Sequence, residues 1–232
     1  MKRMLLATAA AALLAAGAAT TASAAITVLT PNEADNLNGP LAHGMTMLDD
    51  FDGVLNADVQ YVGNVVTFEN PVFNSAAPPF SGGVSICCQG GSNYNADATR
   101  YASVQGGGSG EFSAVNGHYL TSFSFYMGSP DDYNKVTFHV AGGPDQVFNG
   151  NAIWGGTPTN PNGDRTLGYR IYYDFGGAKV TSITFASSQN AFEFDGLAGT
   201  LAAVPEPAGW ALMIGGFGAA GAIMRSRRRL AI

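Results

Sequence analysis

Across residues 26–203 the apolar side chains of this chain return at every second position, and no stretch there carries the 3.6-residue period of an amphipathic helix. A half-buried strand alternates inward and outward side chains, so this span is confined to β structure. In 119–127, Tyr119, Phe123, Phe125 and Met127 share one face while Ser122 and Ser124 point away. Val136, Phe138 and Val140 repeat the pattern against Lys135, Thr137 and His139. Between them lies Gly128-Ser129-Pro130-Asp131-Asp132-Tyr133-Asn134, dense in turn formers, which predicts a hairpin with a long loop. Further alternating runs fall at 62–69, 84–88, 169–175, 180–186 and 191–197; Tyr169, Ile171, Tyr173 and Phe175 share a face. The stretches 106–108 and 158–163 read as surface loops. Many short strands with Gly-rich turns predict an all-β domain, an antiparallel β-sandwich of jelly-roll type over residues 25–203. A domain of about 180 residues buries a sufficient core without disulfides.

Composition narrows the partners. The 232 residues carry a formal charge of −6, with 12% charged and 46% hydrophobic side chains, which excludes a disordered chain. A pI near 4.8 excludes a nucleic-acid binder. The basic residues are unevenly placed: Lys2 and Arg3 open the chain, and Arg225, Arg227, Arg228 and Arg229 close it. The body, 25–204, keeps Arg100, Lys135, Arg165, Arg170 and Lys179 against sixteen acids, a net −11. Such a field repels phosphates and anionic lipid and favours cations or neutral partners such as glycans.

Met1-Lys2-Arg3 forms a positive n-region, 4–19 an Ala/Leu run, and Ala22-Ser23-Ala24 the small residues a signal peptidase requires. Residues 1–24 are thus predicted to be a signal helix cleaved after Ala24, with a retained N-terminal anchor as the other reading. Export brings the adjacent Cys87 and Cys88 into an oxidising compartment. Consecutive Cα atoms lie about 3.8 Å apart, below the usual disulfide range of about 4.4–6.8 Å, so a vicinal bridge would be strained. A redox-sensitive ring, a link to another chain and two reduced thiols in a strand remain as alternatives.

After Val204 the composition changes to Pro205-Glu206-Pro207, an uncharged run over 208–224, and Arg225-Ser226-Arg227-Arg228-Arg229. As a helix the uncharged run is about 26 Å long, the short end for a hydrocarbon core of about 30 Å. Trp210 falls where an interfacial aromatic sits, and the arginines fix the acidic body on the outer side. Gly215, Gly216, Gly218 and Gly221 weaken the helix but permit close helix approach. Pro205 and Pro207 hold the backbone before it extended and open to a protease. The sequence Pro205-Glu206-Pro207-Ala208-Gly209-Trp210-Ala211, the Gly215-Gly216-Phe217-Gly218 segment and terminal Arg227-Arg228-Arg229 resemble the PEP-CTERM sorting tail, in the subclass with Trp-Ala after the PEP motif. The resemblance, confined to 204–232, implies an inner-membrane single-pass precursor cleaved near the motif by an exosortase. It further implies delivery to the surface of a Gram-negative cell, commonly with exopolysaccharide production. A permanent single-pass anchor is the alternative.

The body offers no catalytic motif: no Gly-x-Ser-x-Gly elbow, His-Glu-x-x-His helix or Walker loop occurs, and His43, His118 and His139 have no partner nearby in sequence. Glu193 and Asp195 share a strand face about 6.7 Å apart, and Asp131 with Asp132 lie in the preceding long loop. Two acids on one strand face ordinarily meet water, so a solvated face is the first reading and a functional pair the second. Asp49, Asp50 and Asp52 cluster in one turn, but the spacing is not that of an EF-hand; structural calcium is a possible cofactor, with no other expected. Tyr126, Tyr133, Trp154 and Tyr172 are candidates for stacking on sugar rings, against a plain packing role. The Gly128–Asn134 loop and the strand Phe192-Glu193-Phe194-Asp195-Gly196 resemble exosortase-substrate ectodomains and, more loosely, carbohydrate-binding jelly rolls. That likeness implies a last strand near a loop rim holding sugar or calcium, with Asp131, Asp132, Tyr133, Glu193 and Asp195 as contacts. The expectation is a non-enzymatic cell-surface protein associated with exopolysaccharide and biofilm. A calcium-assisted glycan-binding module is the alternative, and a carbohydrate-active enzyme a third.

Overall fold

The computed structural model describes residues 24–34, 41–68, 99–128, 131–156, 169–204 and 207–229. Its strands are β1 (Thr27–Ala34), β2 (Thr46–Asp49), β3 (Val59–Gly63), β4 (Val65–Phe68), β5 (Tyr101–Val104) and β6 (Ser109–Ala114). They continue with β7 (His118–Met127), β8 (Asn134–Val140), β9 (Gln146–Asn149), β10 (Tyr169–Asp174), β11 (Val180–Ser187) and β12 (Phe192–Ala203). A short 3-10 helix, Gly150–Trp154, follows β9, and α1 (Pro207–Arg229) closes the order.

All twelve strands join one antiparallel hydrogen-bonded network that is folded back on itself and nearly closed. One layer runs β1-β10-β7-β12, with β2 and β5 both on the far edge of β12 and β4 beyond β5. The other runs β3-β6-β11-β8-β9. Val180 opposite Leu120 bridges them. The inward residues of both layers make one aromatic core: Phe185 stacks on Phe194 at 4.3 Å, and Phe138 packs on Tyr173 at 4.8 Å. The all-β antiparallel expectation therefore holds, with layers that are continuous through their ladders.

Two local expectations change. β7 and β8 are not a hairpin: β7 pairs with β10 and β12, β8 with β9 and β11, and Phe123 meets Phe138 through the core at 6.5 Å. Alternation reports which face is apolar but not which strand lies alongside, so a turn-rich segment serves equally to cross between layers. The run predicted as one strand over 62–69 breaks between Gly63 and Val65, where the chain passes from one layer to the other. Gly63 takes φ 103°, and Asn64 N–H donates to the Ser109 carbonyl at 2.9 Å. This corner closes one side of the fold.

Residues 22, 84–88, 158–163, 205 and 206, including Ala22, Cys87, Cys88, Pro205 and Glu206, lie outside the described residues. The tail segment is helical over 23 residues, opened by Pro207, whose missing N–H costs nothing in a first turn. Trp210, Ala211, Leu212, Met213, Ile214 and Phe217 are exposed along it. Among the described residues no helix is long and apolar enough to cross a membrane.

Candidate functional site

The crossing loop and the last strand do meet. Gly128 N–H donates to the Glu193 carbonyl at 3.0 Å, and a Cβ on Gly128 would lie 3.1 Å from that of Glu193. Tyr133 donates its hydroxyl to the Asn190 carbonyl at 3.1 Å, while Ser188 N–H donates to the Tyr133 carbonyl at 3.2 Å. The solvated acidic face does not form: Glu193, Asp195 and Asp131 are only 3%, 2% and 3% exposed. The reason is position, because β12 runs centrally between β7 and the β5/β2 pair. Asp195 lies opposite Tyr126 on β7, and Tyr126 opposite Arg170 on β10. The outward-facing side of this layer is thus a covered polar row.

Arg170, 1% exposed, anchors that row. Its Nη1 donates to the Ser124 hydroxyl at 3.1 Å and to the Gly196 carbonyl at 2.8 Å. Burial pushes the guanidinium pKa below its usual value, opposed by the nearby Tyr172, Asp195 and Tyr126. Gly196 sits at φ 53° with its N–H on Asp195 Oδ1 at 2.5 Å, and the β12 register on β7 shifts just beyond. Tyr126, Tyr172 and Trp154 are buried, so of the two readings these three take the packing role. The Tyr172 hydroxyl accepts the Ala42 N–H at 3.1 Å. Of the five rim candidates only Asp132 and Tyr133 open to solvent, beside Lys135 and Asn149 in a cleft of about 540 Å³.

A second recess involves the acidic turn. The loop after β2 folds on its own carboxylates: Asp49 Oδ1 accepts the Phe51 N–H at 2.7 Å. Asp50 Oδ1 accepts the N–H groups of Asp52, Gly53 and Val54 at 3.0, 3.1 and 2.8 Å. Asp52 Oδ1 reaches across to accept the Arg100 N–H at 2.9 Å. Phe51 is thereby held at φ 55°, a left-handed conformation unusual for a bulky residue, with its ring 5.7 Å from Tyr61 and 6.0 Å from Phe194. The result is a groove of about 750 Å³. Phe51, Val54, Leu55 and Tyr61 border it together with Val65, Thr67, Thr99 and Arg100. At its base burial raises the Asp49 carboxyl pKa, the Phe51 and Tyr61 bonds opposing. Burial and Asp49 likewise raise the Tyr61 phenol, whose hydroxyl lies beside the carboxylate outside strict hydrogen-bond geometry. The acids were calcium candidates in the sequence, but the groove was not visible there, because Tyr61 and Val65 come from β3 and β4 and Arg100 from the segment leading into β5. Among the described residues no three His, Cys, Asp or Glu side chains converge on a metal position.

The histidines do find partners. His139 Nδ1 lies 3.0 Å from Asp145 Oδ2 and its Nε2 lies 2.8 Å from the Thr184 hydroxyl, the order of carboxylate, base and hydroxyl used in nucleophilic catalysis. His139 and Thr184 sit on β8 and β11 and Asp145 just before β9; β11 is paired on both edges at Thr184, so the ladders take the N–H of the one hydroxyl residue that would have to help stabilise an oxyanion. His118 lies 3.5 Å from Asp58.

No protein-family model matches this chain, and no curated protein matches it. Among solved structures it is similar to the catalytic unit of a thermostable GH87 alpha-1,3-glucanase from Streptomyces thermodiastaticus strain HF3-3, at a TM-score of 0.29 and 13% identity. The similarity covers 65% of this chain and 26% of that one, so the chain spans about a quarter of that structure's length.

Proposed function

We propose that this chain is the precursor of an exported, non-catalytic β-sandwich protein, delivered to the cell surface by a PEP-CTERM tail and associated there with extracellular polysaccharide. In this reading a signal peptidase removes 1–24 and an exosortase cleaves near Pro205-Glu206-Pro207. The observation that carries it is α1: Trp210, Leu212, Met213, Ile214, Phe217, Ile223 and Met224 are all more than half exposed. Apolar surface left in water forfeits about 25 cal/mol per Å², so such a helix calls for a non-aqueous neighbour while attached and is dispensable to the body once removed. The non-catalytic part is supported by Glu193 and Asp195, which are built into the sheet, and by Asp50 and Asp52, which are committed to backbone N–H groups.

Mass spectrometry of the protein from the surface and membrane fractions of the producing cell tests the reading. A surface form beginning at Ala25 and ending near residues 205–207 is the expected result. A surface form that still ends at Ile232 overturns the processing.

A further inference from the structure

The loop after β2 and the facing edge formed by β4 and the start of β5 enclose the 750 Å³ groove, within the range of about 300–1,000 Å³ typical of small-ligand sites. From its chemistry we propose that this groove binds a neutral oligosaccharide segment of an extracellular polymer. The inference deepens the polymer-associated reading above and rests on it.

A sugar ring presents a C–H face and a perimeter of hydroxyls that both donate and accept, so its site needs an apolar wall with donors and acceptors around it. The groove has that division. Val54 and Leu55, 47% and 58% exposed, and the Phe51 ring supply the wall. The Asp52 carboxylate offers an acceptor and the Thr67 hydroxyl both a donor and an acceptor. A wholly apolar ligand would strip water from the Asp52 carboxylate and the Thr67 hydroxyl and return no hydrogen bonds.

Charge separates the remaining candidates. Among the described residues Asp49 and Asp52 border the groove with Arg100 as the one cation, Asp50 stands beside them, and the body around them carries −11. An anionic saccharide would bring its carboxylates into a negative field, whereas a neutral one enters without that cost. The walls are already joined before any ligand arrives, because Asp52 on one side accepts the Arg100 N–H of the other and Asp50 clamps three N–H groups of the loop. A fixed site spends little affinity on ordering itself.

Isothermal titration of the full chain in detergent with maltohexaose, cellohexaose, laminarihexaose, hexa-galacturonate and a hexalysine peptide tests the proposal. Binding of at least one neutral hexasaccharide is expected, at least about tenfold tighter than the uronate. Leu55→Ser, at an exposed position, is expected to weaken it about tenfold with the thermal midpoint unchanged. Val54→Ser gives a second, independent reading of the same wall. Failure of all three neutral probes, tighter binding of uronate or peptide, or full affinity in both variants overturns the groove. These outcomes are distinct from failure of the delivery reading, which is decided by the C-terminus of the surface form: a processed tail with no binding removes only this inference.

Discussion

Gln146 ties down the start of the folded chain: its side-chain oxygen accepts the Ile26 N–H at 2.7 Å, and its Nε2 donates to the Ala24 carbonyl at 2.8 Å. Gln146 opens β9, the outer strand of one layer, and Ile26 leads into β1, the outer strand of the other. One amide thus closes the side of the fold opposite the Gly63 corner, where no ladder joins the two edge strands. Gln146→Ala is expected to cost about 1–3 kcal/mol for two part-buried bonds, lowering the midpoint by roughly 2–4 °C per kcal/mol in a domain of this size. A chain that begins at Ala25 lacks the Ala24 carbonyl, so the loss measured by thermal melting should be smaller there than in the precursor.

Arg170 is the buried charge on which the covered polar row depends. Removing its side chain takes two hydrogen bonds from Ser124 and Gly196 and strips the neighbouring Asp195 of a cation. Arg170→Ala is expected to cost about 3–5 kcal/mol, read from the urea midpoint at constant slope. Arg170→Lys should recover only part, because its ammonium sits one bond short of the Nη1 position from which both oxygens are reached. A variant as stable as the parent would show the row to be packing alone.

The inner faces were legible because alternation is a local property: Phe123, Phe125 and Met127 on β7, and Val136 and Phe138 on β8, enter the core as their spacing predicts. Partners were not legible. Nothing in 118–140 states that β7 lies against β10 and β12, and that placement turns Ser124 and Tyr126 from a solvent face into a buried one. The same ignorance put Glu193 and Asp195 in water. A hydrophilic residue on a central strand reads like one on an edge until the layer covering it is known. The groove was half legible, since Asp49, Asp50 and Asp52 announce a turn, but its other wall combines Val65 and Thr67 of β4 with Arg100, whose N–H Asp52 holds across 48 positions of chain.

Gly199 lies on β12 opposite Phe123 of β7. A Cβ there would stand 2.6 Å from the Ser122 carbonyl oxygen and 3.2 and 3.3 Å from Leu48 and Leu120. The first of these contacts is backbone, which cannot rotate away. Gly199→Ala is expected to cost about 1–3 kcal/mol through forced separation of the two strands. Chemical denaturation measures it, and an unchanged midpoint would mean that the ladder yields at no cost.

Asp49 gives the stability a pH dependence of unusual sign for a carboxylate. Burial, helped by the charge of Asp50, holds its pKa above the ordinary carboxylate value, against the pull of the Phe51 N–H and Tyr61. Between the unfolded and folded values the native chain keeps a proton that the unfolded chain has released. The contribution of this group is therefore fully present at low pH and is lost as pH rises through the folded pKa. Asp49→Asn keeps an oxygen to accept the Phe51 N–H and removes the buried charge. At neutral pH this variant is expected to be at least as stable as the parent, with a gain that fades as the pH falls through the raised folded pKa, where the parent carboxyl takes up its proton. Urea midpoints of the pair across that range measure it. A parent more stable than the variant at pH 7 would mean that the Asp49 carboxylate is worth more to Phe51 and Tyr61 charged than its burial costs.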